Sequence, residues 1–313
     1  MSTHTNRRVF LKAGALGAGA SILASQVKNV QAMAPIKRPF GARMKTSVAA
    51  YSYRKYLTNT KNGGAIEPAS MTIEGFLDEC AKIGLGAAEP TSYYFPNPPS
   101  REFLLKFKHK AHLLGLDISG TAIGNNFVYP PGAERDKQLK YTKDWIDYSE
   151  IFGAPCIRIF AGNKPKEIST KQAIKWAIET TQIACDYAAQ KGVFLALENH
   201  GGIVSKPEEL LEVVKSIDSN WFGINFDSGN FHTEDPYKDL KKIAPYAINA
   251  QVKVEMRTSD GKRTHADFNR IIDILGEADY RGYVALEYEA SEKPKEAIPR
   301  YLDALQKAID QAG

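Results

Sequence analysis

The chain alternates between short apolar segments and helical patterns from Thr46 to its end, and this alternation limits its fold more than any other feature. Predicted strands lie at residues 47–53, 87–91, 117–123, 156–161, 193–198, 223–227, 250–254 and 283–288. Predicted helices follow them at residues 72–83, 100–114, 134–151, 170–191, 207–216, 236–243, 266–277 and 293–312. Because one helix follows each strand, we expect neighbouring strands to run parallel.

The number and composition of these units favour a closed barrel. Strand 193–198 is a nearly continuous apolar run, which is typical of a parallel strand covered on both faces. An open doubly wound sheet, the main alternative, usually has a Gly-rich phosphate-binding turn after its first strand. This chain instead has Tyr-Ser-Tyr-Arg-Lys at residues 51–55. We therefore predict an α/β fold, a single-domain (β/α)₈ TIM barrel over residues 46–313.

Positive charge is concentrated at the amino terminus. The chain has 41 Lys and Arg against 36 Asp and Glu, a net charge of +5, and residues 1–32 hold four of these basic residues and no acidic one. Without that segment the balance is 41 − 4 = 37 basic against 36 acidic residues, or +1. The predicted barrel therefore has little net attraction for phosphate, and we expect no nucleic-acid partner.

Residues 1–32 have the three parts of an export signal. Arg7 and Arg8 precede a small-residue apolar stretch at residues 13–23, and Val30-Gln31-Ala32 predicts cleavage after Ala32. The stretch is too short and too weakly apolar for a stable membrane span. The pattern resembles a twin-arginine signal, which implies the twin-arginine export machinery as a partner and a periplasmic or otherwise exported protein. The alternative is a disordered or loosely amphipathic tail, and residues 33–45 are predicted to be a linker.

Polar side chains lie on four consecutive predicted strands, from the fifth to the eighth. Glu198, Asp227 and Glu287 each directly follow an apolar run, and Gln251 lies in the seventh strand. The carboxyl ends of barrel strands meet at one mouth, where buried carboxylates are costly unless a cation compensates them. We predict that these four side chains bind one divalent ion, Mn²⁺ or Mg²⁺ by the softness of the donors, with Zn²⁺ or Co²⁺ as alternatives. The competing interpretation pairs each carboxylate with a nearby Lys or Arg, or places it in a solvated loop.

The endings of three strands carry a family resemblance. Leu-Glu-Asn-His-Gly-Gly at 197–202, Asn-Phe-Asp-Ser-Gly-Asn at 225–230 and Leu-Glu-Tyr-Glu at 286–289 resemble the xylose isomerase-like TIM-barrel superfamily. Within it, the chain is similar to the sugar phosphate isomerase/epimerase family, which includes ketose 3-epimerases and inosose-dehydratase-like proteins. The resemblance covers essentially the whole chain after the leader. It implies Glu, Asp, His and Glu as metal ligands, so Gln251 stands where His is usual, as in some related dehydratases.

The resemblance also implies a reaction. It predicts a metal-dependent sugar isomerase or epimerase that removes a proton next to a carbonyl and passes through an enediolate, with Glu198 and Glu287 as base and acid. Export and the lack of a phosphate-cradling Gly-rich run favour an unphosphorylated sugar. The alternative is a lyase or dehydratase that eliminates a β-substituent from a keto-sugar or 3-keto-glycoside. Less favoured are an endonuclease-four-like nuclease and a non-catalytic sugar-binding barrel.

Seven further residues are predicted to contact the substrate. Lys253 matches the lysine of the family's His-x-Lys pattern, although a lysine that merely extends to the barrel mouth is the alternative. His200 shares a strand face with Glu198, or is a structural loop histidine. The others are Asn230, His232, Arg257, Glu89 and Tyr51. The sequence leaves open whether the protein forms a homo-oligomer.

Overall fold

The wall of the fold is a ring of parallel strands. The structure, a computed structural model, describes residues 33–60 and 70–312, so the predicted export signal at residues 1–32 lies outside the described residues. The strands of the wall are β1 (Arg43–Val48), β2 (Ala87–Ala88), β3 (Asp117–Ile118), β4 (Thr121–Ala122), β5 (Cys156–Ile159), β6 (Phe194–Glu198), β7 (Phe222–Asp227), β8 (Ala247–Lys253) and β11 (Arg281–Glu287). A hairpin of β9 (Glu255–Arg257) and β10 (Arg263–His265) follows β8.

Hydrogen bonds run around the ring from strand to strand. Seven strands form one sheet in the order β1-β11-β8-β7-β6-β5-β4, and each neighbouring pair is parallel. β2 pairs with β3, and parallel bridges join Ala49 to Glu89 and Thr91 to Ala122. These bridges connect β1 to β2 and β2 to β4, which closes the wall. The predicted (β/α)₈ barrel is therefore confirmed.

One long helix covers each strand position from the outside. The helices are α1 (Ile73–Lys82), α2 (Arg101–Leu113), α3 (Ala133–Phe152), α4 (Thr170–Lys191), α5 (Pro207–Lys215), α6 (Pro236–Ile243), α7 (Phe268–Glu277) and α8 (Pro294–Ala312). Ser100 and Asp235 directly precede α2 and α6, and the side chain of each accepts a hydrogen bond from a backbone N–H of the first turn. Within the described ranges, none of the helices combines the length and the apolar character needed to cross a membrane.

Two segments differ from the prediction. The third predicted strand is split at Ser119 and Gly120, where the backbone runs so close to β5 that a Cβ on Gly120 would lie 2.9 Å from Cys156 Sγ. The first strand begins at Arg43, inside the predicted linker 33–45. The rest of that linker packs against the amino-terminal end of the barrel, since Met33 N donates to Lys215 O at 3.2 Å and Ile36 N donates to Pro245 O at 2.9 Å. These backbone hydrogen bonds make residues 33–42 part of the folded domain.

An aromatic cluster joins α2 and α3 to the loop after β2. The ring of Phe95 lies 5.1 Å from Phe107, 5.4 Å from Trp145 and 5.5 Å from Phe152, measured between centroids. Phe107 is completely buried, whereas Leu113, two turns further along α2, is 71 % exposed. The same helix therefore offers one core position and one surface position of similar chemistry.

We expect Phe107→Ala to lower the free energy of unfolding by about 3–5 kcal/mol, because it leaves a cavity in the aromatic cluster. Leu113→Ala, the control on the same helix, should change it by less than about 0.5 kcal/mol. Urea unfolding followed by far-UV circular dichroism measures both values. Equal effects of the two substitutions would contradict this account of the core.

Candidate active site at the carboxyl ends of the strands

Three buried carboxylates lie at one mouth of the barrel. Glu198, Asp227 and Glu287 are the last residues of β6, β7 and β11, and none is more than 6 % exposed. Lys253 ends β8, the strand between β7 and β11, and is paired in register with Glu287. The fold thus places all four at the carboxyl-end mouth of the barrel, where strand ends converge.

The ammonium group of Lys253 lies among these carboxylates. Its Nζ is 2.9 Å from Glu287 Oε2, 3.3 Å from Asp227 Oδ2 and 3.1 Å from Glu289 Oε2. Burial by itself would lower the pKa of Lys253, but the surrounding carboxylates hold it well above its ordinary value. The lysine is therefore charged and compensates part of the buried negative charge.

Gly229 allows this close approach. A Cβ at this position would lie 2.7 Å from Cδ and 2.9 Å from Cβ of Lys253, and 3.0 Å from the backbone oxygen of Glu255. The backbone N–H of Gly229 also donates to Asp227 Oδ1 at 2.8 Å. The glycine thus orients the aspartate and leaves room for the lysine.

Glu198 has a different pair of partners. Its Oε1 accepts a hydrogen bond from Asn230 Nδ2 at 2.7 Å, and its Oε2 lies 2.8 Å from Nε of Arg158, although that N–H is not aligned for a hydrogen bond. Burial would lower the pKa of Arg158, but Glu198 raises it above its ordinary value. Sequence reasoning missed Arg158; the signal was an arginine inside the apolar strand β5, where a buried guanidinium needs a carboxylate partner.

Asp227 and Glu287, two of the carboxylates around Lys253, titrate differently. Burial raises the pKa of Asp227 well above its ordinary value, and the neighbouring Glu198 and Glu287 add to this against the opposing effect of Lys253. Burial also disfavours the charged form of Glu287, yet contact with Lys253 and the charge of Arg158 keep its pKa below the ordinary value. Of these two carboxylates, Glu287 is thus the one whose charged form the neighbouring cations stabilise more.

Gln251 is directed away from this cluster. Its Oε1 accepts from Asn225 Nδ2 at 2.7 Å, and its Nε2 donates to Glu89, which also accepts from Asn249 Nδ2 at 2.9 Å. Burial raises the pKa of Glu89 to about 7, although the two amide donors oppose that shift. Glu89 and Gln251 therefore belong to a polar layer inside the barrel, and the structure does not bring Gln251 together with the three carboxylates.

The other predicted substrate contacts lie around the mouth. Tyr51, His232 and Arg257 line a cavity of about 340 Å³, together with Lys253. Asn230 lines the same cavity and contacts Glu198 as well. His200 lies beside it, with its ring centroid 4.5 Å from that of Phe160.

A larger cavity of about 750 Å³ opens at the opposite end of the barrel. It is lined by Phe194 and Phe222, which begin β6 and β7, and by Arg38 of the amino-terminal segment. None of the three strand-end carboxylates lines it, whereas Lys253, which contacts Asp227 and Glu287, lines the 340 Å³ cavity, and Glu198 lines a neighbouring cavity of about 210 Å³. Barrel enzymes carry their chemistry at the carboxyl ends of the strands. The cavity of about 340 Å³ at that end is therefore the candidate site, although it is smaller than the cavity at the opposite end.

The carboxylates have the donor chemistry of a hard divalent cation. Glu198 Oε2 and Asp227 Oδ2 are buried and accept no hydrogen bond, and three carboxylates face only Lys253 and Arg158 as buried cations. Within residues 33–60 and 70–312, no three His, Cys, Asp or Glu side chains are arranged around a common point as in a metal site. Glu198, Asp227 and Glu287 fit a metal by charge and donor type, although their oxygens do not converge on one point in this structure. Gln251 does not fit in its present orientation, because both its polar atoms are engaged elsewhere.

Comparison with known structures places the chain among barrels of one type. An L-ribulose 3-epimerase has a TM-score of 0.70 at 14 % identity, covering 86 % of this chain and 96 % of the other. A probable 3-DHS dehydratase, AsbF of Bacillus anthracis, has a TM-score of 0.61 at 17 % identity, covering 85 % and 99 %. A xylose isomerase-like TIM barrel protein from Mycobacterium smegmatis, in complex with magnesium, has a TM-score of 0.66 at 18 % identity, covering 86 % and 97 %. At such identities the likeness establishes the fold alone.

Sequence comparison gives the family. An uncharacterized protein, MJ1311 of Methanocaldococcus jannaschii, is 29 % identical over 147 residues, which is 42 % of this chain and about half (48 %) of that relative. The family model described as "Xylose isomerase-like TIM barrel" matches residues 77–308, which is most of the chain and includes all three carboxylates. The chain therefore belongs to the xylose isomerase-like TIM barrel family.

Proposed function

We propose that this protein is a divalent-metal-dependent sugar isomerase or epimerase that removes a proton from a carbon next to a carbonyl group. The observation that carries the proposal is the cluster of Glu198, Asp227 and Glu287, buried at the carboxyl ends of β6, β7 and β11. Buried carboxylates are costly and add little to packing, so we attribute the cluster to chemistry. Family membership and the epimerase among barrels of the same fold support this reading.

In the proposed mechanism these three carboxylates hold one divalent ion, Mg²⁺ or Mn²⁺ by donor type. When bound, the ion supplies Lewis-acid stabilisation of the negative charge that develops on the sugar oxygens. With such an ion in place, the ammonium of Lys253 would no longer be needed between Asp227 and Glu287 and could donate hydrogen bonds to the substrate. Gln251 becomes a fourth ligand only if its amide leaves Asn225 and Glu89.

Two glutamates exchange protons with the sugar. Glu287, whose partner in this structure is Lys253, accepts the proton from the carbon next to the carbonyl. Glu198, held by Arg158 and Asn230, takes up a proton from solvent before the substrate binds and returns it to carbon, and Glu287 releases its proton to solvent after the product leaves. The ion pair and the hydrogen bond hold Glu198 in one orientation, and such orientation is what proton transfer requires.

A second candidate, β-elimination from a keto-sugar or 3-keto-glycoside, begins with the same proton removal. The observation in its favour is the ammonium of Lys253 beside Glu287, since a charged donor next to the base can hydrogen-bond to a departing oxygen. A dehydratase among barrels of the same fold is compatible with it. A reaction in D₂O distinguishes the two candidates. Isomerisation or epimerisation leaves every substituent on the sugar and places deuterium on carbon, whereas elimination releases the β-substituent.

We expect Glu287→Gln to lower proton exchange by at least about 10³-fold, because it removes the base without changing the shape of the side chain. Deuterium incorporation into a panel of unphosphorylated ketoses and 3-keto-glycosides, followed by NMR, measures it. Glu292→Gln, at a surface glutamate paired with Arg300, is the control and should retain full exchange. Full exchange by the Glu287 variant would remove Glu287 from the mechanism.

We expect Lys253→Met to bind Mn²⁺ at least about tenfold more tightly than the wild type, because no ammonium has to be displaced. The same variant without metal should lose about 3–5 kcal/mol of unfolding free energy, since the buried carboxylates lose their cation. Isothermal titration calorimetry and chemical unfolding provide the two values. Asp227→Asn should weaken Mn²⁺ binding, and an absence of Mn²⁺ binding by wild type and both variants would contradict the metal site.

We further propose that the protein is exported by the twin-arginine route and therefore meets unphosphorylated sugars. The support is the sequence alone, with Arg7 and Arg8 ahead of an apolar stretch. We expect the double variant Arg7→Lys/Arg8→Lys to stay in the cytoplasm while the wild type is exported and begins at Met33. Cell fractionation with amino-terminal sequencing checks this, and equal export of both proteins would contradict it.

A further inference from the structure

The cavity at the barrel mouth has an excess of positive charge. Its lining of about 340 Å³ includes the four cationic side chains Arg54, Lys253, Arg257 and Arg263, but only the two carboxylates Glu255 and Glu289. Lys253 lines this cavity and also contacts Asp227 and Glu287 beneath it. A molecule that approaches Asp227 and Glu287 from this cavity therefore passes its positively charged lining, whereas Glu198 lines a separate cavity of about 210 Å³.

Most of the cations in the lining already have partners. Lys253 pairs with Glu289 at 3.1 Å, and Arg263 pairs with Glu255 at 3.4 Å. Arg54 donates to the backbone oxygen of Tyr288 at 2.8 Å. Within residues 33–60 and 70–312 the guanidinium of Arg257, in contrast, forms no hydrogen bond and no ion pair.

The hairpin after β8 places two of these arginines face to face. Arg257 on β9 and Arg263 on β10 are direct partners in the antiparallel register, so their side chains lie on the same face. Like charges directly opposite one another destabilise a pair of strands. Glu255 compensates Arg263 only, which leaves the repulsion to be relieved by an anion from outside the chain.

The hairpin is held in place beside a histidine. Ser259 N, in the hairpin turn, donates to Thr233 O at 3.0 Å and so fixes the turn to the loop that carries His232. His232 lines the same cavity. Burial lowers the pKa of His232, and Arg257, Lys253 and Arg263 lower it further, so the imidazole is neutral at pH 7 and can donate a hydrogen bond.

We propose that this cavity binds a carboxylate group carried by the substrate, with Arg257 as its main partner and Arg263 and His232 at its sides. The planar guanidinium of Arg257 matches a carboxylate with two parallel hydrogen bonds. The inference rests on the proposed function, since it places the reacting carbons of the same molecule over Glu198 and Glu287. The substrate class is then a sugar acid, which is anionic and unphosphorylated.

The test measures binding to the full chain in the presence of Mg²⁺, with D-glucuronate, D-glucose and D-glucose 6-phosphate as probes. We expect D-glucuronate to bind at least about tenfold more tightly than D-glucose, and its affinity to fall as salt is raised. Arg257→Gln should remove this preference, because it lowers the affinity for D-glucuronate at least about tenfold more than the affinity for D-glucose. Arg300→Gln, on the distant helix α8, is the control and should retain the preference.

Three outcomes would overturn the proposal. These are equal affinity for D-glucuronate and D-glucose, an unchanged preference in Arg257→Gln, and tighter binding of D-glucose 6-phosphate, which would indicate a phosphate site. Proton exchange separates this inference from the proposed function. Carboxylate-selective binding without any exchange would contradict the function and leave the binding site standing, whereas exchange of neutral ketoses by the wild type without any preference for D-glucuronate would do the reverse.

Discussion

The contact of one buried ammonium with buried carboxylates is the interaction on which the barrel mouth depends. Moving each of these ions out of water costs several kcal/mol, so Asp227 and Glu287 are tolerated only because Lys253 lies within 3.3 Å of both. Gly229 lacks the side chain that would exclude the lysine, and the register of β8 and β11 brings Lys253 opposite Glu287. The same arrangement keeps the pKa of Glu287 below its ordinary value, so this carboxylate stays charged and available.

The barrel carries two polar levels with different roles. The upper level, at the strand ends, contains the carboxylates, Lys253 and the pair of Glu198 with Arg158. The lower level links Glu89, Gln251, Asn225 and Asn249 by side-chain hydrogen bonds that satisfy one another. A satisfied buried network fixes the geometry of the strands around it. We infer that the lower level supports the upper one, where a cation and a substrate would meet.

Much of this arrangement follows from the sequence, because the strand ends of a barrel converge. The carboxylates at 198, 227 and 287 could be found as charged residues that end apolar runs, and the structure places them at one mouth. The orientation of Gln251 could not be found in this way, since its partner Glu89 is 162 positions away and lies on the opposite side of the ring. The position of the Lys253 ammonium among the carboxylates could not be predicted either. A lysine side chain is long enough to reach several strand ends, and the spacing of residues along the chain does not indicate which of them it contacts. The packing of residues 33–42 against the barrel could not be predicted, because their backbone hydrogen bonds go to residues far along the chain, such as Lys215 and Pro245.

The central claim is that Glu198, Asp227 and Glu287 form a divalent-cation site that Lys253 occupies in the absence of metal. Anomalous diffraction from crystals soaked in Mn²⁺ tests it most directly. The account predicts one strong anomalous peak within coordination distance of these three carboxylates, with the Lys253 ammonium moved away from Asp227. A map without such a peak, with Lys253 still between Asp227 and Glu287, would contradict it.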